Sequence, residues 1–295
     1  MKIKFITSIY SDLYGTNFGG RINRRDHYRF SLLSLLKMSD ADFVCYTSEN
    51  EYESLFQFFY NDNNINKDKL IIKIFNLENN DVKDLILKWK DFDSTKTSDR
   101  CIEIQYMKFY WSINELDGYD NIFWIDAGLS HCGLIPNKHL PIKTSNNNSH
   151  YYESDLFNNK FLKNLITFSD NKFVIITKEN SRNYWSGTVN HKHFTKHNSS
   201  RHVIGGLFGG NKNLWGKIVF LFTKYIYQVT EEDKRLYHEE DIMTLMFRNH
   251  EELFNTLEFD TWWHENEKIS GLEMSEHLKT NKSFYKILEE LNEYE

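Results

Sequence analysis

The sequence predicts an α/β fold: a mixed, mostly parallel central sheet flanked by helices, in a single domain. Three observations predict it. Apolar runs of strand length alternate with longer stretches whose apolar residues recur at helical spacing, the order that builds parallel sheets. No linker divides the chain, and its only two prolines, Pro136 and Pro141, fall close together. With 295 residues, 40% of them hydrophobic and 16% aromatic, the chain can bury one large core.

The elements follow in order. "KIKFITSIY" (2–10) reads as the first strand. "DHYRFSLLSLLKM" (26–38) reads as a helix, with Phe30, Leu33 and Leu36 on one face. "DFVCYTS" (42–48) and "KLIIKIFNL" (69–77) are the next strands, separated by the helical "EYESLFQFFYN" (51–61). "VKDLILKWKDF" (82–92) and "CIEIQYMKFYWSINEL" (101–116) are helical and lead into the strand at "YDNIFWI" (119–125). The two prolines and the polar "KTSNNNSH" (143–150) mark a loop. After it come a helix at "NKFLKNLITF" (159–168) and a strand at "NKFVIITKE" (171–179). "RHVIGGLFGG" (201–210) is a glycine-interrupted strand, followed by a helix at "LWGKIVFLFTKYIYQV" (214–229). Residues 283–295 have the pattern of a terminal amphipathic helix.

Composition removes several classes. A net charge of −6 argues against a general nucleic-acid binder, which needs a basic face. Cys45, Cys101 and Cys132 are odd in number and far apart, so neither a disulfide framework nor a CxxC metal knuckle is expected. The N-terminus lacks the apolar stretch and cleavage site of a signal peptide. The longest apolar tract, "GKIVFLFTKYIY", is interrupted by Lys224 and is too short for a transmembrane segment. A cytoplasmic protein is expected, with room for a peripheral position at a membrane.

Three constellations stand out. The strand "NIFWI" ends at Asp126, followed by small Ala127 and Gly128. An Asp there can cap a turn; it also lies where ligands bind, beyond the carboxyl ends of strands. In "RHVIGGLFGGNKNLW", the pairs Gly205–Gly206 and Gly209–Gly210 interrupt an apolar strand, which marks a bulge or the close approach of a backbone or ligand. In "LYHEEDIMTLMF", Glu239, Glu240 and Asp241 crowd a helix start, where acids suit the dipole. Three adjacent carboxylates also repel, which raises at least one pKa.

"YDNIFWIDAGL" resembles the signature strand of GT-A glycosyltransferases, which usually ends Asp-x-Asp, and its "WIDAG" form is similar to the bacterial HtrL/YibB-like family. Here Gly128 stands at the second Asp. The glycine segment looks like the one lining the donor-sugar pocket of blood-group A/B-type and α-1,3-galactosyltransferases. His238-Glu239-Glu240-Asp241 is similar to the His-Asp-Glu-Ser segment that follows it there.

The resemblance implies a GT-A-like, Rossmann-related fold whose residues 1–135 form a nucleotide-binding half and 136–295 an acceptor and catalytic half. It implies a transfer from a nucleoside-diphosphate sugar, a UDP-sugar, to a hydroxyl of a glycan or lipid-linked saccharide, with retention. Glu240 takes the catalytic place and Glu239 that of its acidic neighbour. Asp126, Ala127, Gly128, Gly205, Gly206 and Lys108 join the donor-binding set. Arg21 and Arg25, after the first strand, are suited to a pyrophosphate. Mn²⁺ or Mg²⁺ is the implied cofactor, with Asp126 and His264 of "FDTWWHE" as ligands. Two other readings stay open: a metal-dependent nucleotidyltransferase or phosphoesterase using Asp126, Glu239 and Asp241, and a non-catalytic sugar-binding protein.

Overall fold

The computed structural model describes residues 2–10, 24–62, 65–79, 82–89, 99–127, 158–179, 201–234, 236–259 and 291. The strands are β1 (Ile3–Ile9), β2 (Asp42–Thr47), β3 (Leu70–Ile74), β4 (Asn121–Ile125), β5 (Phe173–Glu179), β6 (Arg201–Asn211) and β7 (Phe254–Phe259). The helices are α1 (Arg24–Met38), α2 (Glu49–Tyr60), α3 (Lys83–Trp89), α4 (Asp99–Ile113), α5 (Asn159–Phe168), α6 (Lys212–Asp233) and α7 (Glu239–Asn249). All seven strands join one sheet in the order β3-β2-β1-β4-β6-β5-β7. β6 alone runs antiparallel to its neighbours β4 and β5; the other pairings are parallel.

Side-chain alternation sorts the core into two layers, because successive strand residues point to opposite faces. Ile6, Trp124 and Phe208 pack with α4, α6 and α7 residues such as Trp111, Phe222 and Met246. Phe5, Phe123 and Ile125 pack on the other face with Leu32, Leu55, Phe161 and Leu165 of α1, α2 and α5. A sheet covered on both faces explains why its strands read as unbroken apolar runs.

The aromatic excess goes into the first of these layers. Trp111 stacks on Tyr46 at 4.8 Å and on Trp124 at 6.2 Å, and Phe109 stacks on Phe208 at 4.8 Å. Such pairs each contribute about 1 kcal/mol beyond the area they bury. Glu115, just past α4, is buried beside them and accepts from Lys4, Lys73 and Tyr46. Burial works against its charge, but those donors outweigh it and hold the carboxyl below its usual range.

Local chemistry sets the ends. α6 starts earlier than its apolar pattern because Asn211 caps it, accepting from Asn213 N–H at 3.0 Å. It closes at Lys234, which is left-handed at φ 60°. β7 is an element the apolar pattern does not announce. The predicted terminal helix lies outside the described residues except at Leu291, which is helical and buried. No described helix is long and apolar enough to cross a membrane.

One glycine of β6 serves strand pairing. A Cβ at Gly209 would fall 2.3 Å from Ile122 O and 2.5 Å from Phe123 Cα, both backbone atoms of β4. Its φ of 154° is also strained for any side chain. Gly209→Ala is expected to cost about 3 kcal/mol by forcing β4 and β6 apart, measured as a lower urea midpoint at an unchanged slope.

Candidate active site

β1 leads to β2 and β3 on one side, while β4 and the later strands lie on the other. At such a switch point a crevice opens beyond the strands' carboxyl ends, and ligands bind in it. Asp126 is the first residue past β4 there. Its N–H still donates to Gly206 O at 2.8 Å, so the β4–β6 ladder holds its backbone in place.

Two residues after Trp124, Asp126 shares that residue's face of the sheet. Trp124 Nε1 donates to Asp126 Oδ1 at 2.7 Å. The side chain keeps 41% of its surface open, and among the described residues nothing donates to Oδ2. It is thus a carboxylate anchored through one oxygen and offering the other.

β6 contributes through a bulge. Its register against β5 jumps from Ile176↔Ile204 to Ile175↔Phe208, leaving Gly205, Gly206 and Leu207 without β5 partners. The freed N–H of Gly205 donates to Glu240 Oε1 at 2.8 Å, and its carbonyl accepts from Lys108 Nζ at 3.1 Å. A Cβ at Gly205 would sit 2.6 Å from Glu239 Oε1 and 3.3 Å from Glu240 Cγ. Gly205→Ala is therefore expected to displace the acidic pair and to lower any activity these acids carry about a hundredfold. A turnover assay beside an unfolding curve within about 2 kcal/mol of the parent would show it.

α7 carries the acids. Thr244 pins its first turn to β6 by accepting from Val203 N–H at 2.9 Å and donating to Glu240 C=O at 2.7 Å. His202, 3.2 Å from the same hydroxyl, is lowered to about 4, by burial first and then by the charges of Arg248 and His238. It is a neutral packing residue at physiological pH.

Lys108 of α4 joins the pieces. Its Nζ lies 2.7 Å from Glu239 Oε1 and 3.0 Å from Asp126 Oδ1. Burial alone would lower this lysine; Asp126 and Glu239 outweigh it and hold it above its ordinary value. Glu240 is pushed up to about 8, by burial first and then by the charge of Glu239. Asp126 is raised as well: protein encloses it on most sides and Glu239 adds repulsion, with Lys108 opposing. The other Glu239 oxygen, Oε2, is buried with no hydrogen-bond partner among the described residues.

Of the residues singled out in the sequence, Asp126, Gly205, Gly206, Lys108, Glu239 and Glu240 come together, with Ala127 buried beside Asp126. Arg21, Gly128 and His264 lie outside the described residues; Arg25 opens α1, but its side chain also lies outside them. Two contributors went unread: Trp124, which steadies Asp126, and Thr244, which seats α7. The spacing Trp-x-Asp at a strand end was an available signal for the first.

Of the two ligands expected for Mn²⁺ or Mg²⁺, Asp126 lies in this site and His264 lies outside the described residues. Among the described residues no three His, Cys, Asp or Glu side chains converge on a metal position, and Lys108 lies between the two carboxylates that do approach.

No protein-family model matches the chain, and neither does any curated protein. The family-level resemblances therefore rest on the motifs alone. A 4-diphosphocytidyl-2C-methyl-D-erythritol synthase from Anaerococcus prevotii DSM 20548 overlaps loosely, at a TM-score of 0.43 and 10% identity over 87% of this chain and 86% of that one. The fold is similar to that of mouse xyloside xylosyltransferase 1 in its apo form, at a TM-score of 0.53 and 10% identity over 87% of this chain and 85% of that one. This chain has a GT-A-like, Rossmann-related α/β fold in one domain.

Proposed function

We propose that this chain is a glycosyltransferase that moves a sugar from a nucleoside-diphosphate donor, a UDP-sugar, to a hydroxyl of a glycan or lipid-linked saccharide. One observation carries the reading. A single ammonium links Asp126 past β4, Gly205 in the β6 bulge and Glu239 at the start of α7, so three distant segments meet beyond the carboxyl end of β4. The GT-A-like fold is compatible with it.

In this reading Asp126 faces the donor with its open oxygen. The small Gly205 and Gly206 leave room for the sugar. Glu239 Oε2, a buried acceptor without a partner among the described residues, suits a sugar hydroxyl. Glu240 stands beside the anomeric carbon, where a carboxylate stabilises an oxocarbenium-like centre or attacks it. Retention rests on the likeness of the His238–Asp241 segment to that of the galactosyltransferases. Residues 1–135 would hold the nucleotide and 136–295 the acceptor and catalytic groups.

A thermal-shift panel of nucleotides and nucleotide-sugars, followed by donor hydrolysis, tests the reading. A UDP-sugar is expected to stabilise the chain and to be hydrolysed slowly without acceptor. Response to CTP with phosphoester turnover instead would favour a nucleotidyltransferase or phosphoesterase. A UDP-sugar that binds but stays intact would mark a sugar-binding protein.

A further inference from the structure

Lys108 lies in the middle of α4, between buried Met107 and Phe109, and only 7% of its side chain is exposed. Ser112 Oγ donates to its carbonyl at 2.7 Å, and its Nζ sits 5.4 Å from the Trp124 ring centre. An ammonium has three protons to give. Here three acceptors stand within reach: Glu239 Oε1 at 2.7 Å, Asp126 Oδ1 at 3.0 Å and Gly205 O at 3.1 Å. Hydrogen bonds to Glu239 Oε1 and Gly205 O take two of those protons, and Asp126 Oδ1 is held as an ion pair.

Two carboxylates reaching toward one point repel unless a cation separates them, and the repulsion grows as water is excluded. In many sites a divalent ion does this, bound to carboxylate oxygens at about 2.1 Å. An ion placed so between the two carboxylates would share Asp126 Oδ1 and Glu239 Oε1 with the Lys108 ammonium, like charge against like charge, and would have only the open Oδ2 of Asp126 to itself. Gly128, where the signature would supply a second strand carboxylate, removes an oxygen ligand that an ion would need.

We propose that Lys108 is the built-in cation of this site: its ammonium joins Asp126 to Glu239 in the place a divalent ion would take, and nucleotide binding needs no metal on these carboxylates. Lys108 is a positioning residue. It keeps Asp126 turned to the crevice and Glu239 beneath Gly205, and it touches no ligand itself. The inference rests on the nucleotide-sugar reading only for the identity of the ligand.

Two measurements on the full chain test it. In the first, Mn²⁺ is titrated into the protein and into Asp126→Asn and followed by electron paramagnetic resonance, with no nucleotide present. Both should bind Mn²⁺ equally weakly; binding that is lost in Asp126→Asn overturns the proposal. UDP added in EDTA should give the same thermal shift as UDP with Mn²⁺, and a shift that vanishes in EDTA also overturns it. If UDP gives no shift at all, the nucleotide reading fails while the Mn²⁺ titration still decides this one.

In the second, Lys108→Ala empties the cation position. The variant is expected to gain Mn²⁺ affinity about tenfold or more over the parent. A folded Lys108→Ala with unchanged Mn²⁺ affinity removes the claim that the ammonium stands in an ion's place. If that variant does not fold, the first titration stands by itself.

Discussion

Glu240→Gln is expected to reduce sugar transfer at least about a thousandfold while leaving the fold in place. The amide is nearly the same size and its oxygen can still accept the Gly205 N–H. In the proposed mechanism what it loses is the negative charge beside the anomeric carbon. The pH dependence makes the prediction sharper. With its carboxyl pushed up to about 8 from an ordinary 4.5, Glu240 becomes charged only as pH rises through that value. If the charged form acts, kcat/KM should climb with pH and level off above about 8, and the residual rate of Glu240→Gln should be flat there.

Stability should move the opposite way. A carboxyl whose pKa is raised by folding contributes stability that is complete below its unfolded pKa and lost as pH rises through the folded one. The parent should therefore lose stability from about pH 4.5 to 8 relative to Glu240→Gln, a difference readable from paired urea titrations. Parent-level transfer in the variant would remove Glu240 from the chemistry.

Asp126→Asn should lower kcat/KM about a hundredfold. The residue keeps one oxygen open, and in the proposed reading its charge faces the donor. The fold should lose about 1–3 kcal/mol, because Lys108 keeps only one counter-charge, Glu239. Asp126→Ala should cost more, since the Trp124 indole N–H then loses its acceptor as well. Nucleotide affinity and turnover, measured side by side, separate donor binding from catalysis. Full activity in Asp126→Asn would leave this carboxylate a turn residue.

Much of this architecture is legible in the sequence because both sheet faces are covered, and covered strands announce themselves as apolar runs. α5 matches its apolar pattern at 159–168, helped by the Asn158 cap. β7 escapes the same reasoning because Asn255, Thr256 and Glu258 dilute its six residues, as suits a strand at the sheet's edge. The site residues are legible one at a time, each unlike what its element needs: an acid ending a strand, glycines within one, three acids side by side. Their union is not. The β6 bulge depends on how β5 packs, and Lys108, placed with the donor-binding residues by the resemblance, shows its link from Asp126 to Glu239 only when the fold closes over it. Composition left the aromatics open to core or ligand; Trp111, Trp124 and Trp215 are core.

The bond from the Trp124 indole to Asp126 gives the molecule an optical reporter of its own. Whatever takes hold of that carboxylate must change the electrostatic field on an indole that is already stacked against Trp111. Ligand screening could then read near-ultraviolet dichroism or emission colour, with no label attached.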